Sequence, residues 1–347
     1  MIGFSCYLSE PADEQQTAYL KQMQQAGFTG VFTSLQLPED DPKTLHQRLN
    51  HLITSCHQLG LAVVADISQA CLTRLGIAAD DCRGIEALQL DGVRIDDGIA
   101  MTTVASLSHT MAVALNASTL SAKTVDQLAN AKANLRNIEA WHNFYPRPET
   151  GLDPCWFQEK NHWLHTLGFK TMAFIPGDAQ QRGPLFAGLP TLEPHRGLLP
   201  IAAYLDLRRL ATDHVFVGDP QLSPRSIAAF QAYTSDGVLL IQAEAADDRL
   251  YHLTWHNRPD VAQQVVRLAE ARLEHVFTAP KPQNTVDRVR GSITLDNTDY
   301  GRYAGELQIT RCDLPADPKV NVIGRIVPAA LSLLDHIGPN QAIRFKK

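Results

Sequence analysis

The side chains best suited to chemistry crowd into one stretch, Trp141-His-Asn-Phe-Tyr-Pro-Arg-Pro-Glu-Thr-Gly151. Its partners are Ile175-Pro-Gly-Asp178 and Thr191-Leu-Glu-Pro-His-Arg-Gly197. These segments combine aromatic, cationic and acidic residues and are punctuated by Pro and Gly. That is how loops that carry chemistry on a rigid scaffold read. Trp141 and Tyr145 offer flat surfaces. Arg147, held between Pro146 and Pro148, offers a guanidinium that pairs bidentately with a carboxylate or phosphate. A rigid loop with a surface arginine would use the same residues.

Such loops need elements to aim them. Short runs rich in Val, Ile, Phe and Ala alternate with longer helical patterns. The runs are Ile2–Leu8, Thr29–Leu35, Leu61–Asp66, Gly92–Asp96, Met111–Asn116, Ile138–Phe144, Lys170–Ile175 and His214–Gly218. Asp153 followed by Pro154 predicts a helix start, and Gly27 and Gly60 predict helix stops. Strands that alternate with helices pair in parallel through right-handed crossovers. Eight such units predict a (β/α)8 TIM barrel over residues 1–235. No GxGxxG follows the first strand, as a dinucleotide-binding sheet would require. After Thr234 the texture changes. Val238–Ala243, Leu250–Trp255, Ser292–Asp296, Gly305–Thr310 and Val320–Val327 read as strands, and Val261–Leu273 reads as a helix. Residues 236–347 are therefore expected to form a second, mainly β domain.

In a barrel of this kind the working residues sit at the C-terminal ends of the strands. That rule selects Ser5, Tyr7 and Glu10 after the first strand, Asp66 on the third, and Asp96 and Asp97 on the fourth. It adds Asn116 on the fifth, Asn143, Tyr145 and Arg147 on the sixth, Asp178 on the seventh and Asp219 on the eighth. The same residue types also cap helices and form turns. Alternation puts Val93 and Ile95 on one face, and if that face meets the helices, Arg94 and Asp96 point into the barrel. There Arg94 would keep Asp96 ionised. The Gly-rich loops after strands seven and eight are where barrels bind phosphate.

Composition narrows the classes. The chain has 347 residues, 44% of them hydrophobic, and a net charge of −6. This excess of acid argues against nucleic acid as a partner. No stretch approaches the ~18 uninterrupted apolar residues of a membrane span. The start lacks a basic n-region, so a cytoplasmic location is expected. Six scattered cysteines without a CxxC read as free thiols. Neither HExxH nor a Cys/His cluster supports a metal, and no cofactor is expected. No GxSxG supports a serine hydrolase. Acidic side chains remain as catalysts.

Several longer runs together resemble the 6-phospho-N-acetylmuramidase (MupG-type) family. They are HNFYPRPETGL, FIPGDAQQRGPLFAGLPTLEPHR, HNRPD, IDDG, ALNAST, LDNTDYGRYAGELQI and KVNVIGRI. The resemblance runs from GFSCYLSE to the final strands. It implies a TIM barrel followed by a small cyclophilin-like β-barrel domain. It also implies hydrolysis of the β-1,4 bond in MurNAc-6-phosphate–GlcNAc, a phosphorylated amino-sugar disaccharide. Glycoside hydrolysis commonly uses two carboxyl groups. Asp66 and Asp96 are the expected pair, with Glu10, Asp178 and Glu193 in reserve. Arg147, Arg196, Asn116, Ser118 and Thr119 are expected to bind the phosphate or lactyl carboxylate. Asn143, Tyr145 and His195 complete the expected pocket, and Arg302 would reach it from the second domain. A β domain beside the active-site rim is compatible with a homodimer.

Overall fold

The computed structural model describes residues 1–9, 13–36 and 42–347. The chain forms two compact units, Met1–Ile227 and Ala228–Lys347. The division falls inside the helix Pro224–Asp236.

Among the described residues of the first unit, eight parallel strands close into a barrel in sequence order. They are β1 (Ile2–Ser5), β2 (Gly30–Ser34), β3 (Ala62–Ile67), β4 (Gly92–Ile95), β5 (Ala112–Asn116), β6 (Ile138–Trp141), β7 (Lys170–Ile175) and β8 (His214–Val217). The ring closes where β1 pairs with β8. Helices connect the strands, and their starts follow local chemistry. Asp13 caps Glu14–Gln25 by accepting from the Gln16 backbone N–H at 2.9 Å. Asp153 caps Pro154–Thr166 in the same way, through Trp156 at 2.9 Å. The expected TIM barrel is thus the observed one, with most boundaries within a residue or two of those read from the sequence.

Period-two alternation sorts each strand. Val63, Ala65, Val93, Ile95, Val113 and Leu115 form the outward, helix-facing layer and are buried. The inward side chains Phe32, Val64, Ala114, Trp141, Met172, Phe174 and Phe216 pack into one cluster. Trp141 therefore fills the barrel and offers no open flat surface, which corrects the sequence reading. Its indole N–H donates to Glu139 Oε2 at 2.8 Å. Phe216 fits because Gly3 and Gly30 leave room for it. A Cβ on Gly3 would lie 2.2 Å from the Phe216 ring, and one on Gly30 would lie 3.1 Å from it.

The second unit contributes β9 (Val238–Ala245), β10 (Trp255–His256), β11 (Val265–Leu268), β12 (Ser292–Asp296), β13 (Leu307–Thr310), β14 (Val320–Ile326) and β15 (Ala342–Lys346). They form one sheet in the order β10-β15-β9-β14-β12-β13-β11. Its two edges nearly meet: Arg258 N donates to Arg267 O and Ala269 N to His256 O, both at 2.9 Å. The sheet is thus barrel-like, around Trp255, Ile241, Ile293, Ile309 and Phe345.

Two expectations fail here. Val261–Leu273 is not a helix. Val265–Leu268 pairs antiparallel with β13, and only Glu270–Leu273 is helical. The β-branched pair Val265-Val266 suits an edge of this sheet, and pairing overrides the helical spacing. Leu250–Trp255 is not a strand either. Arg249–His252 is a helical turn, and Trp255 begins β10.

Phe216 gives a direct test of the packing. Gly3→Ala is expected to lower stability by about 1–3 kcal/mol through overpacking. Adding Phe216→Leu to that variant should restore part of the loss, although Phe216→Leu alone destabilises. Denaturant midpoints of the two single variants and the double variant measure this coupling.

Candidate active site

The candidate site begins with a charge that cannot stand alone. Arg94 is inward-facing on β4 and only 4% exposed. Its Cα partner on the neighbouring strand is Asp66. Arg94 Nη1 donates to Asp66 Oδ1 at 2.8 Å and lies 3.8 Å from Asp96 Oδ1. Arg94 Nη2 donates to Asn143 Oδ1, just beyond β6. Its Nε is buried without a hydrogen-bond partner among the described residues. One guanidinium thus gathers Asp66, Asp96 and Asn143, which the sequence reading had placed at three different strand ends.

The two carboxylates differ in depth. Asp66 lies within β3, and its side chain is 15% exposed. Asp96 lies one residue past β4, and its side chain is 44% exposed. Burial pushes the Asp66 carboxyl up to about 6, against the pull of Arg94; the Asp96 charge adds to the rise. The sequence reading had Arg94 serving Asp96. The structure puts its direct hydrogen bond on Asp66, because that residue is at the same level of the sheet. A carboxyl poised near neutrality suits proton transfer.

Asp96 also lines a cleft of about 260 Å³ with Asp97, Asn116 and Thr119. Asn116 Oδ1 accepts from the Ser118 backbone N–H at 3.0 Å. The Ser118 hydroxyl oxygen is buried with no hydrogen-bond partner among the described residues. Asn116 and Thr119 are therefore brought beside Asp96, and Ser118 stands next to them in the same turn.

The loops after β6 and β7 are joined by Arg196. Its Nε donates to Glu193 Oε1 at 2.7 Å and its Nη2 to Glu193 Oε2 at 2.9 Å. The same side chain donates to the carbonyls of Ala187 at 3.0 Å, Gly188 at 3.2 Å and Tyr145 at 3.0 Å. Glu193 also accepts from the backbone N–H groups of Glu149 and Gly151, at 2.9 and 2.8 Å. The bonds to Arg196, with these two N–H groups, hold its carboxyl down at about 2. Glu193, expected as a catalytic reserve, is committed to loop structure, and Arg196, expected to bind an anion, has its donors engaged within the chain.

Other expected residues separate in the same way. Asp178 accepts from the Ser223 N–H and from the hydroxyls of Ser223 and Ser226, at 2.7–2.8 Å, and so anchors the start of the helix after β8. His195 is buried, with Nε2 3.0 Å from Asp206 Oδ2, and it belongs to the core rather than a pocket wall. Tyr145 is half-buried, and its backbone N–H donates to Pro190 O at 2.9 Å. Arg147 is exposed, and its guanidinium has no partner among the described residues. Arg302 lies in the second unit, exposed, with its guanidinium 4.9 Å from the Tyr303 ring centroid. Glu10 lies outside the described residues.

Asp219 has a role that reading strand ends alone did not reveal. It is buried after β8 and accepts from the backbone N–H groups of Gly177, Arg182 and Leu189, at 2.8–3.0 Å. It thus ties down both shoulders of the β7 loop. Beside it, the Arg182 guanidinium lies 4.5 Å from the centroid of the Tyr7 ring. Tyr7 is buried, and its hydroxyl donates to Gly218 O at 2.6 Å. The signal for Asp219 in the sequence was only an acid after Gly218, since its partners lie far upstream. Among the described residues, no His, Cys, Asp and Glu cluster is arranged to hold a metal ion. No helix among them is long and apolar enough to cross a membrane.

The Arg196 clamp has a pH signature. Glu193 is held well below its ordinary carboxylate value, so it stabilises the fold above about pH 4.5. That contribution is lost as pH falls toward about 2. Wild type should therefore exceed Glu193→Gln in stability at pH 7, with the gap closing across that interval in acid denaturation. Arg196→Ala should cost about 2–4 kcal/mol, and Arg196→Lys should not recover it, because a lysine cannot make the forked contact.

Comparison with known proteins agrees along the full chain. The family model described as "6-phospho-N-acetylmuramidase, N-terminal" matches residues 2–232, and its C-terminal counterpart matches residues 239–346. A conserved protein of unknown function from Enterococcus faecalis has a similar solved structure, with 38% identity and a TM-score of 0.92. That likeness covers 100% of this chain and 96% of the other. An uncharacterized B. cereus protein is 25% identical with a TM-score of 0.76, over 100% of this chain and 99% of that one. No curated protein matches the chain. With both halves matched in order by models of one family, the chain belongs to the 6-phospho-N-acetylmuramidase family.

Proposed function

We propose that this protein is a glycoside hydrolase that cleaves the β-1,4 bond of MurNAc-6-phosphate–GlcNAc, releasing MurNAc-6-phosphate and GlcNAc. The observation that carries the reading is the shared guanidinium. Asp66 and Asp96 flank one nitrogen of Arg94 at 2.8 and 3.8 Å, at the C-terminal rim of the barrel. Family membership supports the substrate class.

In this reading Asp66 is the general acid. Its protonated carboxyl donates to the glycosidic oxygen as the C1–O bond breaks, and GlcNAc leaves as the alcohol. Arg94 then faces the carboxylate that remains and balances its charge. Asp96 acts on the sugar side, either as nucleophile at C1 or by orienting the substrate's own acetamido oxygen for that attack. Water next adds to C1, and Asp66 recovers its proton from it. The two Oδ1 atoms can be no farther apart than their distances to the shared nitrogen add up to. That bound falls at the lower limit of the ~6.5–9.5 Å that inverting pairs need to admit a water, so retention of configuration is favoured. Arg147, exposed on the rigid β6 loop, is the cation offered to the phosphate or lactyl carboxylate. Asn116 and Thr119 line the cleft beside Asp96. The neutral leaving sugar and the charged sugar together make the partner a phosphorylated amino-sugar disaccharide. Its use belongs to intracellular recycling of cell-wall sugars.

The first test is incubation with MurNAc–GlcNAc, with and without the 6-phosphate. Release of GlcNAc from the phosphorylated form alone is expected, with the first-formed MurNAc-6-phosphate keeping the β configuration by NMR. No release from either substrate would end the reading.

The acid role sets the pH profile. As Asp66 must be protonated, kcat/KM should fall as pH rises through about 6. Asp66→Asn should lower kcat by ~10²–10⁴-fold while substrate still binds. A variant that keeps full turnover would remove Asp66 from the mechanism.

A further inference from the structure

The β7 loop carries a feature that the proposed chemistry does not use. Leu185 and Phe186 are adjacent, and they are 51% and 64% exposed. Phe186 also has φ of 50°, a left-handed conformation that a bulky side chain rarely adopts. Such a residue persists only where its surroundings hold it, and outliers of this kind concentrate at ligand clamps.

Here the surroundings do hold it. Asp219 fixes the N–H groups of Arg182 and Leu189 on either side. Arg196 fixes the carbonyls of Ala187 and Gly188, immediately after Phe186. The ring itself rests against Gly183, where a Cβ would come within 3.1 Å of it. The exposed ring is therefore presented by a braced loop. The position is also local to the site. The returning strand of this loop lies along the β6 loop, where Thr191 Oγ1 donates to Asn143 O at 2.8 Å. Asn143 is the residue whose side chain meets Arg94. Arg196, meanwhile, reaches from Ala187 to Tyr145, two residues before Arg147.

We propose that Phe186, with Leu185 beside it, is the platform for the uncharged leaving-group sugar, its ring stacking on the C–H face of GlcNAc. The assignment follows from charge. The phosphate and carboxylate of the other sugar call for a cation, which Arg147 supplies from the loop on the same clamp. An apolar tip supplies none and suits the pyranose that carries no charge. This inference rests on the glycosidase reading above and extends it to the second subsite.

The test uses the full chain and the phosphorylated disaccharide. Phe186→Ala should raise KM about ten-fold, the loss of one stacking contact, with kcat and the pH profile little changed. Leu185→Ala should do the same more weakly, and Phe186→Trp should retain wild-type KM. Product inhibition by GlcNAc should weaken in Phe186→Ala, while inhibition by MurNAc-6-phosphate should not. Because the ring is exposed, thermal stability should not fall. An unchanged KM would overturn the proposal, as would a change in the mass measured by sedimentation, which would show that the ring meets a second copy. If wild type proves inactive, the glycosidase reading fails alone, and saturation-transfer NMR with GlcNAc still decides. Binding by wild type that Phe186→Ala loses would sustain the platform, and equal signals would refute it.

Discussion

A guanidinium placed inside a barrel must be answered by acceptors, and the first unit is arranged around that requirement. Arg94 draws in a carboxylate from β3, a second from the end of its own strand, and an amide from the β6 loop. Burial alone would favour a neutral Asp66, and the adjacent positive charge alone would favour an ionised one. The balance leaves the carboxyl close to neutrality. The inward cluster beneath, centred on Trp141 and Phe216, keeps water from this side of the pair and leaves the rim as the way in. The chemistry thus depends on an apolar floor as much as on the acids.

Much of the frame was legible in the chain. Runs of Val, Ile and Ala alternating with amphipathic stretches have one economical solution, and the barrel adopts it. The inward direction of Arg94 followed from alternation. What could not be read was which acid it would meet. Asp66 and Asp96 look equivalent at two strand ends, and only register reveals that Asp66 lies level with Arg94 while Asp96 lies past the strand. The acids at 178, 193 and 219 were ambiguous for a related reason. Each finds its N–H donors on segments remote in sequence, so a structural anchor and a catalyst look alike until the loops are folded. Trp141 misled through its neighbours, since its place at the end of β6 faces the barrel core while the next inward residue, Asn143, faces the site.

The second unit was harder to read. Its strands are short, and its sheet is mostly antiparallel, with one parallel pair between β9 and β15. Residues 261–273 carry a helical spacing that their partner strand overrules. The β12, β13 and β14 stretches, bounded by Gly, Asn and Asp turns, were readable because turn chemistry marks their ends.

The Arg196 fork has a consequence for motion. It fastens backbone from two loops to one planar group, and a carboxylate behind it is fastened in turn to a further stretch of the β6 loop, Glu149–Gly151. Independent flickering of either loop would strand several donors or acceptors at once. Any opening of this side of the rim must then travel as a single stiff plate, hinged outside the fork, so that the cation and the aromatic tip advance or retreat in step.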